Sequence, residues 1–398
     1  MTIYADPAAR PSRAPIDEDY DDYYDYNEPQ AQKHRDPLWA KLCLILGSLV
    51  MVVSGAVVVI PKIVAAWATS NISREDLLPP GLVGENIDGS INILLLGMDE
   101  RKQNNDYIRT DTIMIAHIPK NHDQLYLISI PRDTRVDIPA YPHTDFAGQT
   151  YKINAAFAMA NRTHNERGGW VGDPTAAGRK RGVDLTVQTL NALVPGGLKF
   201  NAVAIINFDG FKSILNAIDG VDMCIDERTT SIHYDKNNRY HTNPPGMSQR
   251  KVYEKGCRHL KGWEALDFAR QRYNVTGADY GRQRHQQQLL MAIFKKLTSK
   301  GVVTDLGKLR ELQKIAGDLL TLDLGKTAVE DWVLTLKGLR GDNVTMVKTN
   351  GGHPNSQTFG NESFEILSPE SLDLLKAVHD DKVYEFLVEH PSWISSPG

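Results

Sequence analysis

The stretch INILLLGMDERKQNNDYIRTDTIMIAHIPKNHDQLYLISIPRD, residues 91–133, sets three apolar runs between clusters of charge. Residues 91–97 (INILLLG) are continuously apolar apart from Asn92, as expected of a short strand covered on both faces. Residues 112–118 (TIMIAHI) and 124–130 (QLYLISI) read as two more strands, divided by the turn signal of Pro119 and the polar residues after it. Connections this short make an antiparallel meander. The end of the first strand, the start of the second and the end of the third then share one sheet edge. That edge receives Asp99 and Arg101, then Arg109 and Asp111, then Arg132 and Asp133.

Three separate segments thus deliver carboxylates and arginines to one place. Magnesium takes oxygen ligands, commonly one or two carboxylates plus phosphate oxygens and water, and Asp99 and Asp111 can supply the carboxylates. Arginine offers phosphate a fixed fork of donors and keeps its charge. Such a site would neutralise charge on a leaving phosphate. The plainer alternative is a set of surface ion pairs, each worth little. It explains any one pair more easily than the convergence of all three segments.

A second charged block follows at residues 267–288, DFARQRYNVTGADYGRQRHQQQ. Arg270 and Arg272 close one predicted helix, and Asp279 opens another as an N-cap or first-turn acid. Arg282 and Gln286 are four apart and share a face near that helix's N-terminus, where backbone N–H groups favour anions. A surface helix running into the core is the bland reading of the same pattern. The density of Arg and Gln with few balancing acids favours an anion site.

Further strands are expected at 202–207, 221–225 and 344–348. Helices are expected at 153–161, 183–193, 210–218, 263–272, 280–297, 306–320, 327–339 and 369–387. The mixture is α/β or α+β in one domain over residues 91–390. Residues 42–60, LCLILGSLVMVVSGAVVVI, contain no charge, and their helical length matches a bilayer core of about 30 Å. A buried core helix would show a polar face, and this run has none. Ala66-Trp67-Ala68 resembles a signal-peptidase site, but the apolar run is long and the preceding tail is long and acidic, so an uncleaved anchor over 37–69 is the better reading. Lys33, Arg35 and Lys41 before it narrowly favour a cytoplasmic N-terminus and an outward main domain. Residues 1–36 form an acidic, tyrosine-rich tail expected to be disordered, and 70–90 a Pro/Gly-containing linker.

The net charge of -4 argues against a nucleic-acid binder. Nucleophile-elbow, P-loop and zinc-protease signatures are absent, and His117 reads as structural. Of three cysteines, Cys43 lies in the apolar run. Cys224 and Cys257, if bonded, would mark an oxidising compartment.

The segments INILLLGMDER, RTDTIMIAHI, LISIPRDTRV and FARQR…DYGRQRHQQQ, in this order, resemble the signature motifs of LytR-CpsA-Psr proteins. The resemblance implies a membrane-anchored, extracytoplasmic, magnesium-dependent phosphotransferase, with manganese as the alternative ion. Such enzymes move a glycopolymer from a polyprenyl-pyrophosphate carrier onto peptidoglycan. It implies a central mixed sheet flanked by helices, with a hydrophobic pocket for the lipid. By motif, Asp99 and Asp111 would hold the metal. Arg109, Arg132, Lys152, Arg270, Arg272, Arg282 and Gln286 would grip the pyrophosphate, and Asp133 is available to accept the attacking hydroxyl's proton. His285 stands where many members carry Arg, and Cys224 and Cys257 match the disulfide of actinobacterial members. Two rival functions share these residues: a prenyl-pyrophosphate hydrolase, and a non-enzymatic regulator that binds the lipid pyrophosphate.

Overall fold

The meander forms as the apolar runs demand. In a computed structural model of the chain, β2 (Ile91–Met98), β3 (Thr110–Ile118) and β4 (Leu125–Ile130) pair antiparallel in sequence order. The structure describes residues 73–84, 86–98, 108–165, 168–241, 243, 246–272, 275–297, 320–339 and 341–395. Four more strands complete a seven-stranded sheet: β1 (Ser73–Arg74), β5 (Ala202–Asn207), β6 (Leu320–Asp323) and β7 (Val344–Lys348). The order across it is β1-β6-β5-β2-β3-β4-β7, with β2/β5, β4/β7 and β1/β6 parallel and the other pairs antiparallel. A strand with neighbours on both sides and layers on both faces needs apolar residues at nearly every position, and β2 has them.

Alternation along the strands sorts the two faces. Leu94, Leu96 and Met98 of β2 join Ile113, Ile115, Ile128 and Ile130 in the main core. There they meet α1 (Asn154–Ala160), α2 (Ala176–Ala192) and α7 (Pro369–His379). Ile93, Leu95, Ala116 and Leu127 face the other way, toward Leu290, Met291 and Phe294 of α5 (Asp279–Leu297). That second layer also holds α3 (Phe208–Ala217) and α4 (Gly262–Arg270), with α6 (Val329–Leu336) and α8 (Val383–Glu389) completing the helices labelled here. The architecture is a mixed α/β fold around a central mixed sheet.

Several expectations change. The stretch read as a linker, 70–90, is in part built into the fold: β1 pairs with β6, and Leu77 and Leu78 are buried. Their backbone N–H groups donate to Asp323 Oδ2, each at 2.7 Å. The prolines and glycines there mark turns within the domain, not a spacer. Helix α2 starts seven residues before the expected 183, capped by Thr175. Its first turns read as polar loop because they carry Gly178 and a basic run. The helix expected at 306–320 lies outside the described residues except Leu320, which opens β6. Cys224 and Cys257 sit opposite each other in a ribbon of Val221–Ile225 with Gly256–Leu260 and are disulfide-bonded. The acidic tail and the expected anchor also lie outside the described residues, among which no helix is long and apolar enough to cross a membrane.

Candidate active site

Register fixes the edge on which the charged residues meet. Gly97 pairs with Thr112, Ile113 with Ile130, and Ser129 with Lys348 of β7. The end of β2, the start of β3 and the end of β4 therefore lie side by side, and Asp111 and Arg132 flank one another across β3 and β4. Arg132 donates through a terminal nitrogen to Asp111 Oδ1 at 2.6 Å, and its Nε lies 3.7 Å from Asp133 Oδ2. Burial by itself would lower the Arg132 pKa. Asp111 and Asp133 outweigh it, and the net shift is upward.

A short ribbon of Arg135–Ile138 with Gln149–Lys152 leaves this edge immediately after Asp133. Its register sets Lys152 against Arg135 and brings Lys152 Nζ to 3.6 Å from Asp133 Oδ1 and 3.8 Å from Glu362 Oε2. Arg109 is exposed, yet near enough to Tyr151 to draw its pKa down. The hydrogen bond from Tyr151 to Glu362 pushes more strongly the other way.

The N-terminal turn of α5 forms the facing wall. Asp279 begins the helix and pairs with Arg282 at 2.5 Å, one turn on. Arg282 is only 6% exposed. Burial lowers its pKa against the upward pull of Asp279, and Arg132 and Arg272 push the same way as burial. Asp111, Arg132, Asp279, Arg282 and Gln286 line one small polar pocket. Burial, more than the neighbouring arginines, is what opposes the charge on Arg282, and two guanidinium groups that share one pocket suit an anion.

An apolar cavity of about 260 Å³ adjoins this pocket, enclosed between the sheet and α3, α4 and α5. Leu95, Ala204 and Ile206 form its floor, and Phe211, Leu266 and Leu290 its walls. Arg270 and Gln286 stand in its lining. Thr112, Met114 and Gln286 line both the cavity and the polar pocket. A polar pocket lined by two arginines thus adjoins an apolar space.

Of the residues singled out from sequence, the structure draws Asp111, Arg132, Asp133, Lys152, Arg282 and Gln286 into one neighbourhood, with Arg270 at the cavity. Arg272 is close enough to act on Arg282, and Arg109 lies beside the ribbon. Asp99 and Arg101 lie outside the described residues. Sequence reading assigned no site role to Asp279, the partner of Arg282, although its place three residues ahead in a first turn was a signal. Glu362, the partner of Lys152 and Tyr151, carried no local signal. It arrives by a hairpin of Ser356–Phe359 with Glu362–Glu365, far along the chain.

The chain is similar to the polyisoprenyl-teichoic acid–peptidoglycan teichoic acid transferase TagU of Bacillus cereus. The two are 30% identical over 234 residues, 58% of this chain and 61% of that protein. The corresponding transferase TagV of Bacillus subtilis is 26% identical over 220 residues, 55% of this chain and 47% of the relative. The chain therefore spans between about half and three-fifths of the length of these relatives. The crystal structure of B. subtilis TagV superposes with a TM-score of 0.52 at 19% identity, covering 74% of this chain and 98% of that one. A structure of TagT bound to LIIa-WTA gives 0.51 at 20% identity, covering 75% and 93%. These likenesses share the fold described above. A profile of the LytR_cpsA_psr family matches residues 65–379, the span that holds the sheet, the polar pocket and the cavity, and the chain belongs to that family.

Proposed function

We propose that the protein is a phosphotransferase that moves a glycopolymer from a polyprenyl-pyrophosphate carrier onto peptidoglycan. The observation that carries this reading is the continuity of the arginine-lined pocket with the apolar cavity, joined at Thr112, Met114 and Gln286. A ligand with a pyrophosphate head and a prenyl tail satisfies both halves, whereas a soluble phosphate ester would leave the cavity unused. The family and the printed activity of TagU and TagV support the transfer to peptidoglycan.

In this reading Arg132, Arg282 and Gln286 hold the pyrophosphate, with Arg109, Lys152, Arg270 and Arg272 around it. The prenyl chain enters between the sheet and α4 and α5. The donor set fits a magnesium ion, which takes hard carboxylate oxygens: Asp111, oriented by Arg132, would hold it together with Asp99. Bound there, the ion would neutralise phosphate charge. The arginines orient the donor and stabilise negative charge as it spreads over the phosphates. A sugar hydroxyl of peptidoglycan attacks the phosphorus that carries the glycan. The new phosphodiester forms as the bond to polyprenyl phosphate breaks, and Asp133, which lies beside Lys152 and Arg132, would take the hydroxyl proton.

The anchor at 37–69 would hold this domain on the outer face of the membrane, where the Cys224–Cys257 disulfide persists. The test is to incubate the full chain in detergent with magnesium, a polyprenyl-pyrophosphate oligosaccharide and peptidoglycan. Transfer predicts glycan bound to the wall in proportion to polyprenyl phosphate released. Free phosphorylated glycan in its place would make the protein a hydrolase, and an unchanged donor would leave it a binding protein.

A further inference from the structure

Behind the polar pocket, on the opposite side of α5, a part-buried ion network ties the helix to the loop that precedes it. Arg284 donates through Nε to Asp226 Oδ2 and through a terminal nitrogen to Glu227 Oε1, both at 2.5 Å. His285 is fully buried, stacks on Phe268 of α4 with ring centroids 4.1 Å apart, and sets Nε2 3.3 Å from Asp226 Oδ1. Glu227 also accepts the backbone N–H of Thr276, at 3.1 Å to either oxygen, and the Thr276 hydroxyl at 2.7 Å. Thr276 belongs to the loop between Arg272 and Asp279. One carboxylate therefore joins the loop that follows Arg270 and Arg272 to the helix that carries Arg282 and Gln286.

The loop is built for this attachment. Ala278 holds a left-handed backbone (φ 48°) where a non-glycine residue is disfavoured, next to Gly277 at φ 81°. The loop lies directly on the first turn of α5. A β-carbon on Gly281 would stand 2.3 Å from Val275 Cγ1 and 2.6 Å from the Thr276 carbonyl oxygen. On the other flank, Tyr280 donates to Glu365 Oε1 at 3.0 Å, and Glu365 N–H donates to the Asp133 carbonyl. Glu227 thus holds the loop and Glu365 the first turn of α5, and a conformation of this kind persists only where its surroundings over-determine it.

We propose that Glu227 is a positioning residue for the lipid-pyrophosphate site: by clamping Thr276 to Arg284 it fixes the first turns of α5, and with them Arg282 and Gln286 opposite Arg132. It touches no substrate. This rests on the pyrophosphate reading above and adds a cause for selectivity, because Arg132 and Arg282 held at a set spacing distinguish a pyrophosphate from a monophosphate. A misplacement of about 1 Å in such a site can cost up to about a hundredfold.

The experiment measures the dissociation constants of farnesyl pyrophosphate and farnesyl monophosphate for the full chain in detergent, alongside its thermal midpoint. Glu227→Gln keeps an acceptor for Thr276 and removes the charge that holds Arg284. Its preference for pyrophosphate over monophosphate should fall about tenfold, with Glu227→Asp restoring part of it. Thr276→Val, which leaves the ion pair in place, should lower the preference about threefold, and it decides the matter if Glu227→Gln fails to fold. An unchanged pyrophosphate preference in the folded variants, whatever happens to the thermal midpoint, would make Glu227 merely structural and overturn the proposal. If the wild-type chain binds neither ligand, the pyrophosphate reading itself fails.

Discussion

Arg132 and Arg282 reach the same small pocket from different elements, Arg132 paired with Asp111 and Asp133 and Arg282 with Asp279. Arg282, nearly fully buried, is costly to keep charged even beside Asp279, which is why that pairing alone does not explain it. Arg132→Ala should cut glycan transfer by about a hundredfold or more while shifting the thermal midpoint by only a few degrees, because its side chain is part-exposed and its partner Asp111 can return to water. Initial rates and a melting curve on the same preparation check this. A variant with near-normal turnover would remove Arg132 from the site. At this scale the sequence was informative where the signal was local. The four-residue spacing of Arg282 and Gln286 put both on one helix face, and the structure has both in the pocket lining. The contact of Lys152 with Asp133 and Glu362 was not legible in the same way. It depends on the pairing of Arg135 with Lys152 and on a hairpin more than two hundred residues downstream.

Among the elements, α5 carries two jobs on two faces, the pocket on one and the Asp226–Glu227 network on the other. The Asp226 carboxyl is held at about 2: burial would raise it, but His285 and Arg284 prevail. Its folded pKa is below its unfolded value of about 3.9, so the stability it adds is fully present above about pH 4 and is lost as pH falls toward 2. Allowing for solvent screening at this part-exposed pair, that amounts to about 1–2 kcal/mol. Urea titrations at pH 6 and pH 2.5 should show Asp226→Asn less stable than wild type at the higher pH, with the difference shrinking to about a third at the lower. A constant difference would place the effect in packing instead. Gly182 of α2 tests the other layer, since a β-carbon there would stand 2.7 Å from the ring of the fully buried Phe157. Overpacking of about 1–3 kcal/mol exceeds the helix-propensity gain of about 1 kcal/mol, so Gly182→Ala should lower the thermal midpoint. A raised midpoint would show that α1 yields freely. The meander was legible because three apolar runs with short connections admit one arrangement. The ribbons were not, being short, polar on their outer face and paired at a distance, as in the alternation of exposed Arg135 and Asp137 with buried Val136 and Ile138. The stretch 70–90 misled for a related reason: its prolines and glycines are visible in the sequence, whereas the carboxylate of Asp323 that fastens Leu77 and Leu78 is almost 250 residues away.

For the molecule as a whole, the sheet separates two functions of its layers. One face is closed by α1, α2 and α7 into a continuous core. The other leaves a cavity under α3, α4 and α5 that opens beside the charged edge. Buried hydrocarbon is worth about 0.8 kcal/mol per methylene, so affinity for prenyl pyrophosphates should climb with chain length until the cavity is full. Ala204→Phe, on the cavity floor, should abolish most of that climb and leave the affinity for isopentenyl pyrophosphate within about threefold of wild type. Equal losses for short and long chains would instead point to a distorted pocket. The most direct test of the central claim is a crystal structure of the chain with magnesium and farnesyl pyrophosphate. The account predicts phosphate oxygens against Arg132, Arg282 and Gln286, with the farnesyl chain running between Leu95 and Ala204 on the sheet and Leu266 and Leu290 on the helices. A pyrophosphate bound elsewhere, or a tail lying outside that cavity, would contradict it.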